Sequence, residues 1–150
     1  GLRAYRTADR MPISDFETRG GMPIYPTFSA DGRIVHSLNY VEANLNQWDV
    51  ATGRLLRVDP IECPMYLVGI PGSERLAIGG ADGTVRIYLE ALSPADRRIP
   101  ALTLRTPGTV HALAVSPDGS AIAAYRGDQE PLAIWRINAP PRTSSLVRIR

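Results

Sequence analysis

The sequence predicts an all-β chain of repeated four-stranded antiparallel sheets, and three observations carry that prediction. Thirteen glycines and thirteen prolines in 150 residues cut the chain into short segments and leave little room for long helices. Between these breaks lie apolar runs of four to six residues that end in Asp-Gly or Pro-Gly turns, the pattern of strands joined by tight reversals. The chain also repeats itself. Phe28-Ser29-Ala30-Asp31-Gly32-Arg33-Ile34-Val35 matches Val115-Ser116-Pro117-Asp118-Gly119-Ser120-Ala121-Ile122 at an offset of 87, and Asn46-Gln47-Trp48-Asp49-Val50 matches Ala133-Ile134-Trp135-Arg136-Ile137 at the same offset.

Half of that offset calls for a middle copy, and Gly83-Thr84-Val85-Arg86-Ile87-Tyr88 supplies it. With Tyr5 one period earlier, the aromatic ladder is Tyr5, Trp48, Tyr88 and Trp135, with steps of 43, 40 and 47 residues. The first strands of the three copies are Ile24 to Phe28, Met65 to Ile70 and His111 to Val115. The second are Ile34 to Leu38, Arg75 to Ile78 and Ala121 to Tyr125. The third, carrying the aromatic, are Leu45 to Val50, Thr84 to Tyr88 and Leu132 to Ile137. The fourth are Leu55 to Val58, Ile99 to Leu104 and Leu146 to Ile149. No segment has a helical stripe, although Ser93-Pro94-Ala95-Asp96 could open one helical turn. Four antiparallel strands recurring every forty-odd residues is the pattern of a β-propeller blade, which must stack between neighbours to bury both of its faces. The expected divisions are 1–23 as the end of a preceding blade and linker, then blades at 24–60, 61–104 and 105–150.

Ser116-Pro117-Asp118-Gly119, Trp48-Asp49-Val50-Ala51-Thr52-Gly53-Arg54 and Ala81-Asp82-Gly83-Thr84-Val85-Arg86-Ile87-Tyr88 resemble the strand-linking motifs of the tryptophan–aspartate (WD) repeat propellers, over roughly residues 24 to 150. The resemblance implies the fold and is silent on activity. The chain departs from that family's pattern in three places. Arg105-Thr106-Pro107-Gly108 stands where the family commonly has a Gly-His pair, and Ile78 stands where a second-strand serine or threonine is usual. Only Trp48 is followed by aspartate. Blades held mainly by apolar packing follow from this, with Asp82 as a turn-stabilising residue.

Closing a propeller takes about four to eight blades. Three copies, plus a start that resembles the last two strands of another (Leu2 to Arg6, then Met11 to Phe16), make an incomplete ring with open faces and unpaired edges. The expectation is the C-terminal part of a larger propeller, ahead of a ring closed by a second chain. In either case the remaining blades are a required partner.

All seventeen basic residues are arginine, as expected of a GC-rich bacterial genome. Against fifteen acids they leave a net charge of +2, and they are dispersed, so no electrostatic footprint for nucleic acid emerges. Cys63 is the only cysteine, which excludes an internal disulfide. No apolar run approaches eighteen residues, and Gly1 to Arg6 has no signal-peptide core. A cytoplasmic setting is the expectation.

Catalytic candidates are weak. Cys63 has no histidine near it in sequence to activate a thiolate. His36, His111 and Cys63 match no zinc spacing, and His36 is expected to pack in its strand. Gly79-Gly80-Ala81-Asp82-Gly83 leads into a strand without a Gly-Lys-Ser/Thr ending, so it reads as a hairpin turn. Glu42 with Asp49, and Asp128 with Glu130, have no spacing that forces them together. Neither catalytic residues nor a cofactor nor a metal is expected. Recognition fits better: the resemblance implies contact at the face carrying the loops before first strands and between second and third strands, and Tyr40, Glu42, Arg105, His111 and Arg126 there are the candidate partner contacts. The function expected is a non-catalytic protein-interaction scaffold, with a regulatory or sensor propeller controlling an enzyme as the alternative.

Overall fold

The computed structural model describes residues 2–16, 23–89, 100–127 and 132–137. Within them thirteen strands form four sheets in which sequential strands pair antiparallel. Strands β1 (Arg3–Tyr5) and β2 (Pro12–Asp15) make a two-stranded sheet. A four-stranded sheet follows from β3 (Ile24–Phe28), β4 (Ile34–Asn39), β5 (Asn44–Asp49) and β6 (Leu55–Pro60). A second is built from β7 (Pro64–Ile70), β8 (Arg75–Gly80), β9 (Thr84–Leu89) and β10 (Leu102–Arg105). The last described sheet has three strands, β11 (Ala112–Val115), β12 (Ala121–Tyr125) and β13 (Ala133–Arg136). The chain is therefore all-β with four-stranded antiparallel sheets, and no closed ring is formed by the described residues. The strand expected over Leu146 to Ile149, the helical turn at Ser93 to Asp96 and the Asp128–Glu130 pair lie outside the described residues.

The turns explain the repeat in atomic terms. In the first four-stranded sheet the Ser29 hydroxyl donates to the Asp31 carboxylate at 2.7 Å, the Arg33 amide donates to the same Oδ1 at 3.0 Å, and the Ile34 amide donates to Ser29 Oγ. Ser116, Asp118, Ser120 and Ala121 reproduce this network with bonds of 2.6, 3.0 and 2.9 Å. The carboxylate occupies amides that the four-residue reversal between Ser29 and Ile34 leaves without a backbone partner. Asp118 is consequently held at a pKa of about 2, by the Ser116 hydroxyl first and then by the Ser120 amide and hydroxyl.

Sheets stack through apolar clusters, and in each the third-strand aromatic points back at the preceding sheet. Trp48 packs with Ala4 and Phe16, meeting the Phe16 ring edge-on at 6.0 Å. Tyr88 packs with Leu38, Leu45 and Ile61. Trp135 packs with Ala77, Val85, Ile87 and Leu104. The first strands β3 and β7 stand side by side, the Gly69 amide donating to Thr27 Oγ1 at 3.2 Å, and the link into β11 lies close on β8, where a Cβ on Gly79 would be 2.7 Å from Val110 Cγ1.

The stack is not uniform along its length. Tyr5 has the register of Trp48: Tyr5 pairs Pro12 and Ala4 pairs Ser14 across a bulge, as Trp48 pairs Leu55 and Gln47 pairs Arg57. Yet Tyr5 is 54% exposed and Trp48 1%, because no described sheet lies on the side that Tyr5 faces. Nor are the sheets joined by apolar packing throughout. His36, Gln47 and Asp59 are buried on the face of the first four-stranded sheet that meets the second. There Gln47 Nε2 donates to Asp59 Oδ2 at 3.2 Å and Arg57 Nε to Asp59 Oδ1 at 2.5 Å.

Candidate functional site

Antiparallel strands put every second connection at the same end of the stack. The loops at 40–43 and 81–83, the links at 61–63 and 106–111, and the starts of β3, β7 and β11 all meet there. All five residues singled out from the sequence lie at this end, in two groups. Tyr40 and Glu42 belong to the 40–43 loop; Arg105, His111 and Arg126 surround the link from β10 to β11.

Their roles differ. Tyr40 is 49% exposed and its neighbour Val41 76%, so the tip of this loop is an apolar projection. Glu42 is committed to the loop itself: Oε2 accepts from the Asn39 and Asn44 side-chain amides at 2.9 and 3.1 Å, and its own amide donates to Asn39 Oδ1. That bracket holds the loop in shape, so Glu42 is a support for Tyr40 and Val41. Arg105 is exposed at the end of β10, beside Thr84. His111 is exposed, its amide donates to the Tyr125 carbonyl, and its ring lies 6.5 Å from the Tyr125 ring. Arg126 Nη1 donates to the Pro107 carbonyl, tying the end of β12 to the link before β11.

The sequence reading missed the pair between the two groups. Tyr25 and Tyr66, near the starts of β3 and β7, have ring centroids 4.7 Å apart. The bond to Tyr66 raises the Tyr25 hydroxyl above its ordinary pKa, and partial burial adds to the shift. Tyr25 sits at φ 53°, a left-handed conformation that costs a bulky residue on the order of 1–3 kcal/mol and persists where packing over-determines it. One signal was available: Tyr25 and Tyr66 are 41 residues apart, close to the repeat length. Beyond them, Arg86 Nη2 holds Asp82 at 2.5 Å and lies 3.8 Å from Glu62. Burial opposes the charge on Asp82, but the Thr84 hydroxyl and amide and the Arg86 guanidinium outweigh it and keep the carboxyl below its usual range.

Cys63 is exposed, at φ 47°. His36 is fully buried within β4, far in sequence and in sheet from His111. Among the described residues no three of His, Cys, Asp and Glu come together. Glu42 and Asp49 end up at opposite ends of β5, Asp49 accepting from the Thr52 amide and hydroxyl. Among the described residues no helix is long and apolar enough to cross a membrane.

Comparison with known proteins addresses the fold alone. No family model matches the chain, and no curated protein matches it. Solved structures do, 569 chains in all, so the architecture is too widespread to specify an activity. The chain is similar to the computationally designed Ika8 protein at a TM-score of 0.67 and 19% identity, with 89% of this chain covering 39% of that one. It is similar to the designed Ika4 protein at a TM-score of 0.68 and 20% identity, with 92% of this chain covering 78% of that one. This chain thus spans about two fifths of the longer design and nearly four fifths of the shorter.

Proposed function

We propose that the chain is part of a WD-repeat-like β-propeller and acts as a non-catalytic protein-interaction scaffold, binding its partner at the end where Tyr25, Tyr40, Val41 and Tyr66 gather. The observation that carries this reading is the exposed, braced aromatic surface there. Aromatic side chains combine large contact area with few rotors to freeze, and they are enriched where interfaces concentrate energy. The Glu42 bracket and the Tyr25–Tyr66 stack fix these side chains in advance, which lowers the ordering cost of association. At the opposite end the turn aspartates are already bonded within their own turns, Asp31 to Ser29, Asp118 to Ser116 and Asp49 to Thr52.

Cys63 gives a direct test, since it is exposed at the proposed contact end and is the one cysteine in the chain. A thiol-linked photo-crosslinker on Cys63 should capture a discrete protein from extracts of the source cell. Capture should be lost in a Tyr40→Ala, Val41→Asp variant, and should not occur when the crosslinker is moved to the opposite end in a Cys63→Ser, Thr52→Cys variant. Equal capture from both ends, or capture indifferent to Tyr40 and Val41, would rule the reading out.

A further inference from the structure

The exposed face of the last described sheet is half of a junction that the molecule builds repeatedly. In the first four-stranded sheet, one face presents His36 and Leu38 on β4 with Leu45 and Gln47 on β5, all no more than 4% exposed beneath the next sheet. The second sheet offers Ala77, Val85 and Ile87 in the same register, each no more than 1% exposed. In the third sheet those positions fall on Ala123, Tyr125, Leu132 and Ile134, Ala123 pairing Ile134 as His36 pairs Gln47. Here Tyr125 is 37% exposed, Leu132 59% and Ile134 43%. Residues of the same register are buried twice and open once.

The complementary half is at the other extreme. Every junction inside the chain sets a third-strand aromatic of the later sheet against this face of the earlier one: Tyr88 on the first four-stranded sheet, Trp135 on the second. Tyr5 has the same register as those aromatics and faces outward, 54% exposed. We infer that a second copy of this chain docks head to tail, its Tyr5 face covering the Tyr125–Leu132–Ile134 face. Such a contact is heterologous: it joins two different patches and continues the interface already present between the sheets. Two copies close into a ring if the rotation permits, and otherwise form an open series. The inference rests on the stacked repeat and is independent of any partner at the Tyr25–Tyr40 end.

Light scattering coupled to gel filtration on the 150-residue chain tests it. The monomer is 16.4 kDa, and the expected result is a species of two copies or a longer series growing with concentration. Tyr5→Arg and Ile134→Arg should each return the mass to that of one copy, with Leu132→Arg as a second variant of the same face. All three side chains are exposed, so the far-ultraviolet circular dichroism of each variant should match the parent. Mixing Tyr5→Arg with Ile134→Arg should restore association, because one intact junction then forms between the two chains. Tyr40→Ala should leave the mass unchanged. A parent chain that stays at 16.4 kDa at its solubility limit would overturn the inference. So would an assembly that none of the three face substitutions weakens, or a mixture that fails to reassociate.

Discussion

The junction after the first four-stranded sheet and the junction after the second share one backbone plan and an apolar cluster each, and differ at three matched positions. Gln47, Arg57 and Asp59 occupy β5 and β6 in the register that Ile87, Leu102 and Leu104 occupy on β9 and β10. The first trio is polar and joined through the Asp59 carboxylate; the second is apolar and packs with Val110, Ile122 and Trp135. Strand pairing and turn chemistry therefore set the geometry of the stack, and either filling satisfies it. A polar filling does so only when its members bond one another, since an unpaired polar group away from water costs more than its contacts return.

The largest expected effect lies in what every junction of the stack shares, a third-strand aromatic set between two sheets. Trp48→Ala removes a wedge from between two sheets and should cost about 3–5 kcal/mol, as truncation of a buried aromatic does. Trp135→Ala should fall in the same range, and urea unfolding of each variant checks both.

Asp59→Ala breaks only the polar junction. It leaves Gln47 and Arg57 without their shared acceptor and should cost about 1.5–3 kcal/mol. Replacing the whole trio (Gln47→Ile, Arg57→Leu and Asp59→Leu together) should instead be neutral or stabilising, because an apolar set of similar shape has no charge to desolvate. If the triple replacement proved as damaging as Asp59→Ala, the two fillings would not be interchangeable.

Gly53 probes the contact between the two-stranded sheet and its neighbour. It sits at φ 71°, and a Cβ there would run into the Asp15 carbonyl. Gly53→Ala should cost about 1–3 kcal/mol from backbone strain, before the clash is counted. The thermal midpoint reports it.

The smallest effect is a pH dependence. Asp118 is held at about 2 in the folded chain, below the ordinary value of about 3.9. A depressed carboxylate contributes stability that is complete above its unfolded pKa and is lost as pH falls through the folded one. The difference in urea midpoint between the parent and Asp118→Ala should therefore be constant above about pH 5 and shrink as pH falls, its charge-dependent part disappearing only below about pH 2. The same experiment on Asp31, lowered by the Arg33 amide first and then by the Ser29 hydroxyl, should give the same direction.

Strands and turns were legible in the sequence because their causes are local. A Ser-X-Asp-Gly reversal bonds its own backbone, and alternating runs beside it have little choice but to pair, so most strand limits agree to within two residues. Met11 to Phe16 shortened to Pro12–Asp15, and Ile99 to Leu104 is described as Leu102–Arg105. What each face meets is not local. Tyr5 and Trp48 have the same register, and only a neighbouring sheet separates 54% exposure from 1%. The polar trio escaped notice because Gln47, Arg57 and Asp59 alternate along two strands like ordinary solvated residues. At the candidate site, position along the chain placed Tyr40, Glu42, Arg105, His111 and Arg126 at one end. It could not show that Glu42 is spent on bracing its own loop, nor that Tyr25 and Tyr66 stack across a sheet boundary.

The two tryptophans offer the most direct test of the central claim, that third-strand aromatics are wedges facing the preceding sheet. They are the only tryptophans in the chain, and they are 1% and 9% exposed. Acrylamide quenching of the native protein should leave both emissions shielded, with easy quenching appearing only after unfolding in urea. Native emission in which about half the intensity is as accessible as in the unfolded chain would contradict the stacked arrangement.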